Sequence, residues 1–162
     1  MIKELWTLVR MLFRTNPKNK EKVSLLGMNH IPVKGYKYLM WCGYMIYRND
    51  MYDRRQKEWA TEQFKIDERH EQIHLEQAKA CGSWFKYYMK YLWEWLKGNP
   101  ITNPASSAYK TNPMEIAAYA NQDNPEYLED FHDDSMTRYN IKDRKNVYLE
   151  HREVWNEYIK TL

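Results

Sequence analysis

The sequence predicts a mostly helical α+β domain in which a small antiparallel sheet packs on a helix carrying a histidine pair. Three observations predict it. Apolar residues recur at helical spacing in residues 2–14, 84–96 and 142–159. Residues 36–48 alternate with period two instead, as a strand does. Between the first two helical segments stands His70-Glu71-Gln72-Ile73-His74, in a stretch from 67 to 81 free of Gly and Pro. A chain of 162 residues is long enough for one domain with its own core. The expected layout is a single domain over 1–162, with an N-terminal helix in 1–15 and a motif-bearing core in 30–125.

The N-terminal helix is justified by Ile2, Leu5, Trp6, Val9, Leu12 and Phe13, with Lys3 and Arg10 on the other side. Asn16-Pro17 ends it, and Lys18, Lys20 and Lys22 follow. Such a basic amphipathic helix either packs onto the domain or makes peripheral contact with a membrane surface. A short strand is expected near 29–33, with Lys34-Gly35 as the turn. The strand over 36–48 is apolar on both faces, and Gly43 inside it suggests a bulge or a close backbone approach.

The chain reads as helical and charged from Asp53 onward. For the histidine-bearing helix, Asp67 is the expected N-cap, with Glu68 and Glu71 in the first turn. The next segment, 84–96, is aromatic, and Gly98-Asn99-Pro100 stops it. Asn112 is a good N-cap with Pro113 at the first helical position, so a further helix runs through Tyr119 and Ala120. Asn124-Pro125 opens a short helix through Phe131, and residues 142–159 close the chain as an amphipathic helix.

Composition narrows the function classes. The net charge of +3 is too small to imply a nucleic-acid partner. The longest strongly apolar run without a charge, 38–47, has ten residues, well short of the roughly 20 that cross a bilayer. Arg10 and Arg14 break the apolar character that a signal peptide needs. Cys42 and Cys81 match no metal or redox spacing and read as buried free thiols of a reducing, cytoplasmic compartment, the alternative being a single disulfide.

His70 and His74 are four residues apart, so on a helix both imidazoles reach one metal ion. This is the H-E-x-x-H pattern found in many zinc metallopeptidases, and Glu71 is then placed to take a proton from a zinc-activated water. Catalytic zinc usually takes three protein ligands. A third histidine six residues beyond the motif is excluded, because Ala80 stands there. Glu115, Glu126 and Glu129 are the open candidates. Glu115 also has a competing role, since it stands three residues after Asn112 and can complete a capping box.

The motif followed by Asn112-Pro113-Met114-Glu115-Ile116-Ala117-Ala118-Tyr119 resembles the gluzincin-type zincin metallopeptidases, in particular compact single-domain members. The resemblance covers about 30–125. It implies that His70, His74 and Glu115 are the zinc ligands and that Glu71 is the general base. It also implies that residues 36–48 correspond to an edge strand, along which a peptide or protein substrate lies extended. Tyr119, one turn from Glu115, is the candidate stabiliser of the oxyanion, with His132 and His151 as alternatives. The expected function is peptide-bond hydrolysis by a zinc-dependent enzyme. The competing expectation is a non-catalytic peptide-binding or membrane-surface module on the same fold.

Overall fold

The computed structural model describes residues 1–34, 36–98, 107–141 and 144. The helix expected over 142–159, with His151, lies outside the described residues, as does most of the Asn-Pro-containing loop after Gly98. The chain forms two compact units, Met1–Phe85 and Lys86–Leu162.

The first unit opens with α1, Ile2–Arg14. The strands β1 (Ser24–Met28), β2 (Leu39–Trp41) and β3 (Tyr44–Arg48) form one sheet in the order β1-β3-β2. The mostly helical α+β class therefore holds, but three details of the sheet differ from expectation. Residues 36–48 are not one strand. They fold back at Cys42-Gly43, where φ is 49° and 78°. A two-residue hairpin turn of the primed type needs positive φ at both positions, and that need explains Gly43 better than a bulge does. The first strand precedes 29–33, ending at Met28. Finally, the sheet is mixed. β2 pairs antiparallel with β3, while β1 pairs parallel with it, with Leu26 opposite Ile46. β3 is thus the central strand, and β1 and the short β2 are the edges.

The smaller part of the apolar surface of α1 covers this sheet. Leu8 is buried with Met28, Ile31 and Ile46, and Met11, Leu26, Leu39 and Trp41 pack around them. The Trp41 indole N–H donates to the Leu8 carbonyl at 2.9 Å, which closes the last turns of α1 onto β2. The larger part, Ile2, Leu5, Trp6, Val9 and Phe13, is exposed.

After β3 come α2 (Tyr52–Glu58) and the long α3 (Glu62–Cys81). α3 begins five residues before the expected Asp67 cap. Thr61 is the N-cap, its hydroxyl accepting from the Phe64 N–H at 3.2 Å. Asp67 sits in the second turn and pairs with Lys37 at 3.0 Å. Gly82, at φ 80°, ends α3 in the left-handed conformation, and its N–H reaches the Ala78 and Lys79 carbonyls. Gln72 ties α3 to the chain entering β1, accepting from the Val23 N–H and donating to the Glu21 carbonyl, both at 3.0 Å.

α4 (Trp84–Lys97) starts at the end of the first unit. In the second unit follow α5 (Ser107–Lys110), α6 (Pro113–Asn121), a 3-10 turn at Pro125–Leu128 and α7 (Ser135–Arg138). Ile116, Ala117 and Tyr139 form a buried cluster, with Tyr119, Ala120 and Ile141 packed against it. Asn121 secures α6 to the start of the tail by donating to the Tyr139 hydroxyl at 2.9 Å. Among the described residues no helix is long and apolar enough to cross a membrane.

Candidate metal centre

The histidine pair sits mid-helix on the buried face of α3. That face is made by Phe64, His70, Ile73, His74, Leu75, Gln77 and Ala78. Two imidazoles on a helix face that is otherwise mostly apolar require polar partners, because burying an unpaired polar ring is costly. The partners are specific. His74 Nδ1 lies 2.8 Å from Gln77 Oε1, and Gln77 is fully buried. With the amide oxygen accepting, Nδ1 carries the proton and Nε2 presents its lone pair. That lone pair points to His70, whose Nε2 is 3.2 Å away, the two rings standing at 83° to one another.

This arrangement suits a divalent ion. Two nitrogens bound at roughly 2.0–2.1 Å to a tetrahedral zinc are separated by about 3.3 Å. The observed Nε2–Nε2 distance of 3.2 Å matches it. A buried amide oxygen that orients one imidazole is also the usual support of a ligand histidine. Glu71, half-buried, follows His70 directly on the same helix.

The second unit holds Glu115 and Tyr119. Asn112 caps α6, its side chain accepting from the Met114 N–H at 3.1 Å, and Pro113 occupies the first turn. The capping box in which Glu115 would bond back to Asn112 is not the pattern observed. The Asn112 N–H donates to the Tyr109 carbonyl at 3.1 Å. Glu115, 4% exposed, accepts instead from the Tyr91 hydroxyl at 2.7 Å. Asn112 and Glu115 therefore grip the same tyrosine, since the Asn112 amide donates to the Tyr91 carbonyl at 3.3 Å. A buried carboxylate held by a phenol on a capped helix is rigidly aimed.

Two more phenols complete this cluster. Tyr109 and Tyr119 place their hydroxyls 3.4 Å apart. Burial above all, then the Glu115 carboxylate and the neighbouring Tyr119 and Tyr91, push the Tyr109 hydroxyl far above its usual value. It stays a neutral donor at every ordinary pH.

The remaining candidates sit differently. Glu126 and Glu129 are exposed at the two ends of the 3-10 turn, and His132 is exposed beyond it. Cys42 is buried as expected, but Cys81, in the last turn of α3, is only half-buried. Reading the sequence did not single out Gln77 as the support of His74, nor Tyr91 and Tyr109 as neighbours of Glu115. Gln77 had a usable signal, since it follows His74 by three residues on one helical face. The tyrosines had none, because fourteen tyrosines give no means of choosing.

Compared with known proteins, the chain matches no family model, no curated protein and no solved structure at a significant level.

Proposed function

We propose that this chain is a zinc-dependent peptidase of zincin type, with His70, His74 and Glu115 as metal ligands. The observation that carries the reading is the buried pair of imidazoles, with Nε2 atoms 3.2 Å apart and Gln77 fixing the tautomer of one. The donor chemistry agrees. His70, His74 and Glu115 are each buried, and their side chains are of the types that ligate zinc. Two nitrogens and one carboxylate oxygen are a frequent catalytic zinc set that keeps one position open.

When bound, zinc lowers the pKa of a coordinated water to about 7 and polarises a carbonyl. The rest falls to the protein. Glu71 accepts the proton of the attacking water at its carboxylate and delivers it to the leaving amine. Tyr119, steadied by Tyr109, donates to the oxyanion that develops on the scissile carbonyl. Gln77 and Tyr91 hold a ligand imidazole and the ligand carboxylate in place. An extended peptide or protein segment pairs along the edge strand β2. The protein works in a reducing, cytoplasmic setting, where cysteines persist as thiols.

The test combines metal analysis with hydrolysis of a peptide library. Wild type is expected to hold one zinc per chain. Glu71→Gln should retain it and lose hydrolysis by roughly 10²–10⁴-fold. His70→Ala, His74→Ala and Glu115→Ala should each lose both metal and activity. A wild-type protein that takes up no zinc on reconstitution sinks the reading. Full activity in Glu71→Gln removes the proposed base.

A further inference from the structure

Outside the histidine helix, the feature with the least ordinary surface chemistry is α1. Its residues at positions 2, 5, 6, 9 and 13 make one helical stripe, and all of them face solvent. Ile2 is 81% exposed, Trp6 57% and Phe13 68%. A surface helix normally turns its apolar stripe toward the core. This one has apolar residues round more than half its circumference. The part at Leu8 and Met11 is used against the sheet, and the part at Ile2, Leu5, Trp6, Val9 and Phe13 is left over. Phe85 extends the exposed surface, stacked on Phe13 with ring centroids 5.9 Å apart.

Cations border this stripe. Lys3, Arg10 and Arg14 lie along its other side on α1, all exposed, and Arg10 sits 5.5 Å from the centre of the Trp6 ring. Lys18 and Lys22 follow in the exposed segment after the helix. The acid of α1, Glu4, turns the other way, accepting from the Asn29 N–H at 2.6 Å and contacting His30 at 3.0 Å. The exposed side of the helix is thus apolar and cationic.

We propose that α1 docks this protein on the surface of an anionic phospholipid bilayer. An amphipathic helix lying in the headgroup plane needs an apolar stripe sunk toward the acyl chains, with basic residues beside it to meet the lipid phosphates. Trp6 and Phe13 supply the anchors, and Lys3, Arg10 and Arg14 supply the charge. Charge selects this occupant over a second copy. Two such faces brought together would oppose cation to cation, whereas an anionic surface complements them. The inference stands apart from the metal site, because every residue it uses lies outside the motif helix.

Flotation with vesicles tests it. The full chain is mixed with phosphatidylcholine vesicles, with or without phosphatidylserine, and centrifuged through a density gradient. Wild type should float with the serine-containing vesicles only, and added salt should release it. Trp6→Ser/Phe13→Ser should lower the bound fraction roughly tenfold or more, since two buried apolar anchors are removed. Arg10→Glu/Arg14→Glu should weaken binding to the anionic vesicles. Far-UV circular dichroism confirms that each variant is folded, as expected for exposed positions. Three outcomes overturn the proposal. One is no flotation of folded wild type. Another is flotation unchanged by Trp6→Ser/Phe13→Ser or indifferent to lipid charge. The third is a concentration-dependent dimer abolished by Trp6→Ser/Phe13→Ser without any flotation, which assigns the face to a second copy.

Discussion

A single buried amide decides what His74 can do. Gln77 Oε1 accepts from Nδ1, which leaves Nε2 as the atom facing His70. Gln77→Leu keeps the volume and removes the acceptor. The imidazole can then take the other tautomer, and zinc affinity should fall roughly 10–100-fold. Competition with a chromophoric chelator measures this, and unchanged affinity would show that Gln77 only fills space. Tyr91 serves Glu115 in the same way, donating to its carboxylate at 2.7 Å. Tyr91→Phe takes a hydrogen bond from a buried carboxylate and should destabilise the fold by about 1–3 kcal/mol, read from urea denaturation. His70, Glu71 and His74 could be named from spacing, and Glu115 only as one of three candidate acids. Gln77, Tyr91 and Tyr109 became meaningful only once their neighbours were known, because a hydrogen-bond partner is a property of position in space.

Elements show the same division. α1, α4 and α6 lie where periodicity and the Asn112-Pro113 start put them, since helical spacing and caps are local signals. The start of α3 was misread. Asp67 is a good cap residue by type, but Thr61 lies after the break that ends α2 and caps first. Thr61→Ala should cost about 1 kcal/mol in thermal or denaturant unfolding. The strand over 36–48 was misread for a different reason. Alternation of side chains survives a two-residue hairpin, so period two alone does not reveal the turn at Cys42-Gly43. Gly43, at φ 78°, is also closely approached, since a Cβ there would stand 2.4 Å from the Lys20 side chain, which would have to move aside. Gly43→Ala should destabilise the protein by about 1–2 kcal/mol, and an unchanged denaturation midpoint would contradict the turn geometry.

At the scale of the whole molecule, stability should respond to metal and to acid. An ion that binds only the folded chain stabilises it by mass action, by about 2.7 kcal/mol at a hundredfold excess over Kd. Chelation should therefore lower the midpoint of thermal unfolding, and zinc should restore it. Insensitivity of that midpoint to chelator and to added zinc would count against a bound metal. Acid acts in the second unit through Glu94. Its burial alone would raise the carboxyl's pKa, but hydrogen bonds and charge from Lys97, at 2.6 Å, and from Arg144 outweigh it and hold the pKa below the usual 4.5. A carboxylate depressed in the folded state stabilises fully above its unfolded pKa, and that contribution disappears as pH falls through the folded value. Stability should hold from neutrality to about pH 4.5 and decline below it, and Glu94→Gln should flatten that decline.

By itself the sequence determined the mostly helical α+β class, the amphipathic character of α1 and the presence of two metal-capable histidines on one helical face. These follow from residue type and spacing within a few turns of chain. Tertiary structure alone decided that β1 runs parallel to β3, since strand order depends on packing between segments far apart in sequence. It also decided that Gln77 holds His74 and that Tyr91 holds Glu115. The last decision concerns α1. Periodicity marks every apolar position on that helix alike, and only the sheet's reach determines that Leu8 is covered while Trp6 and Phe13 stay in solvent.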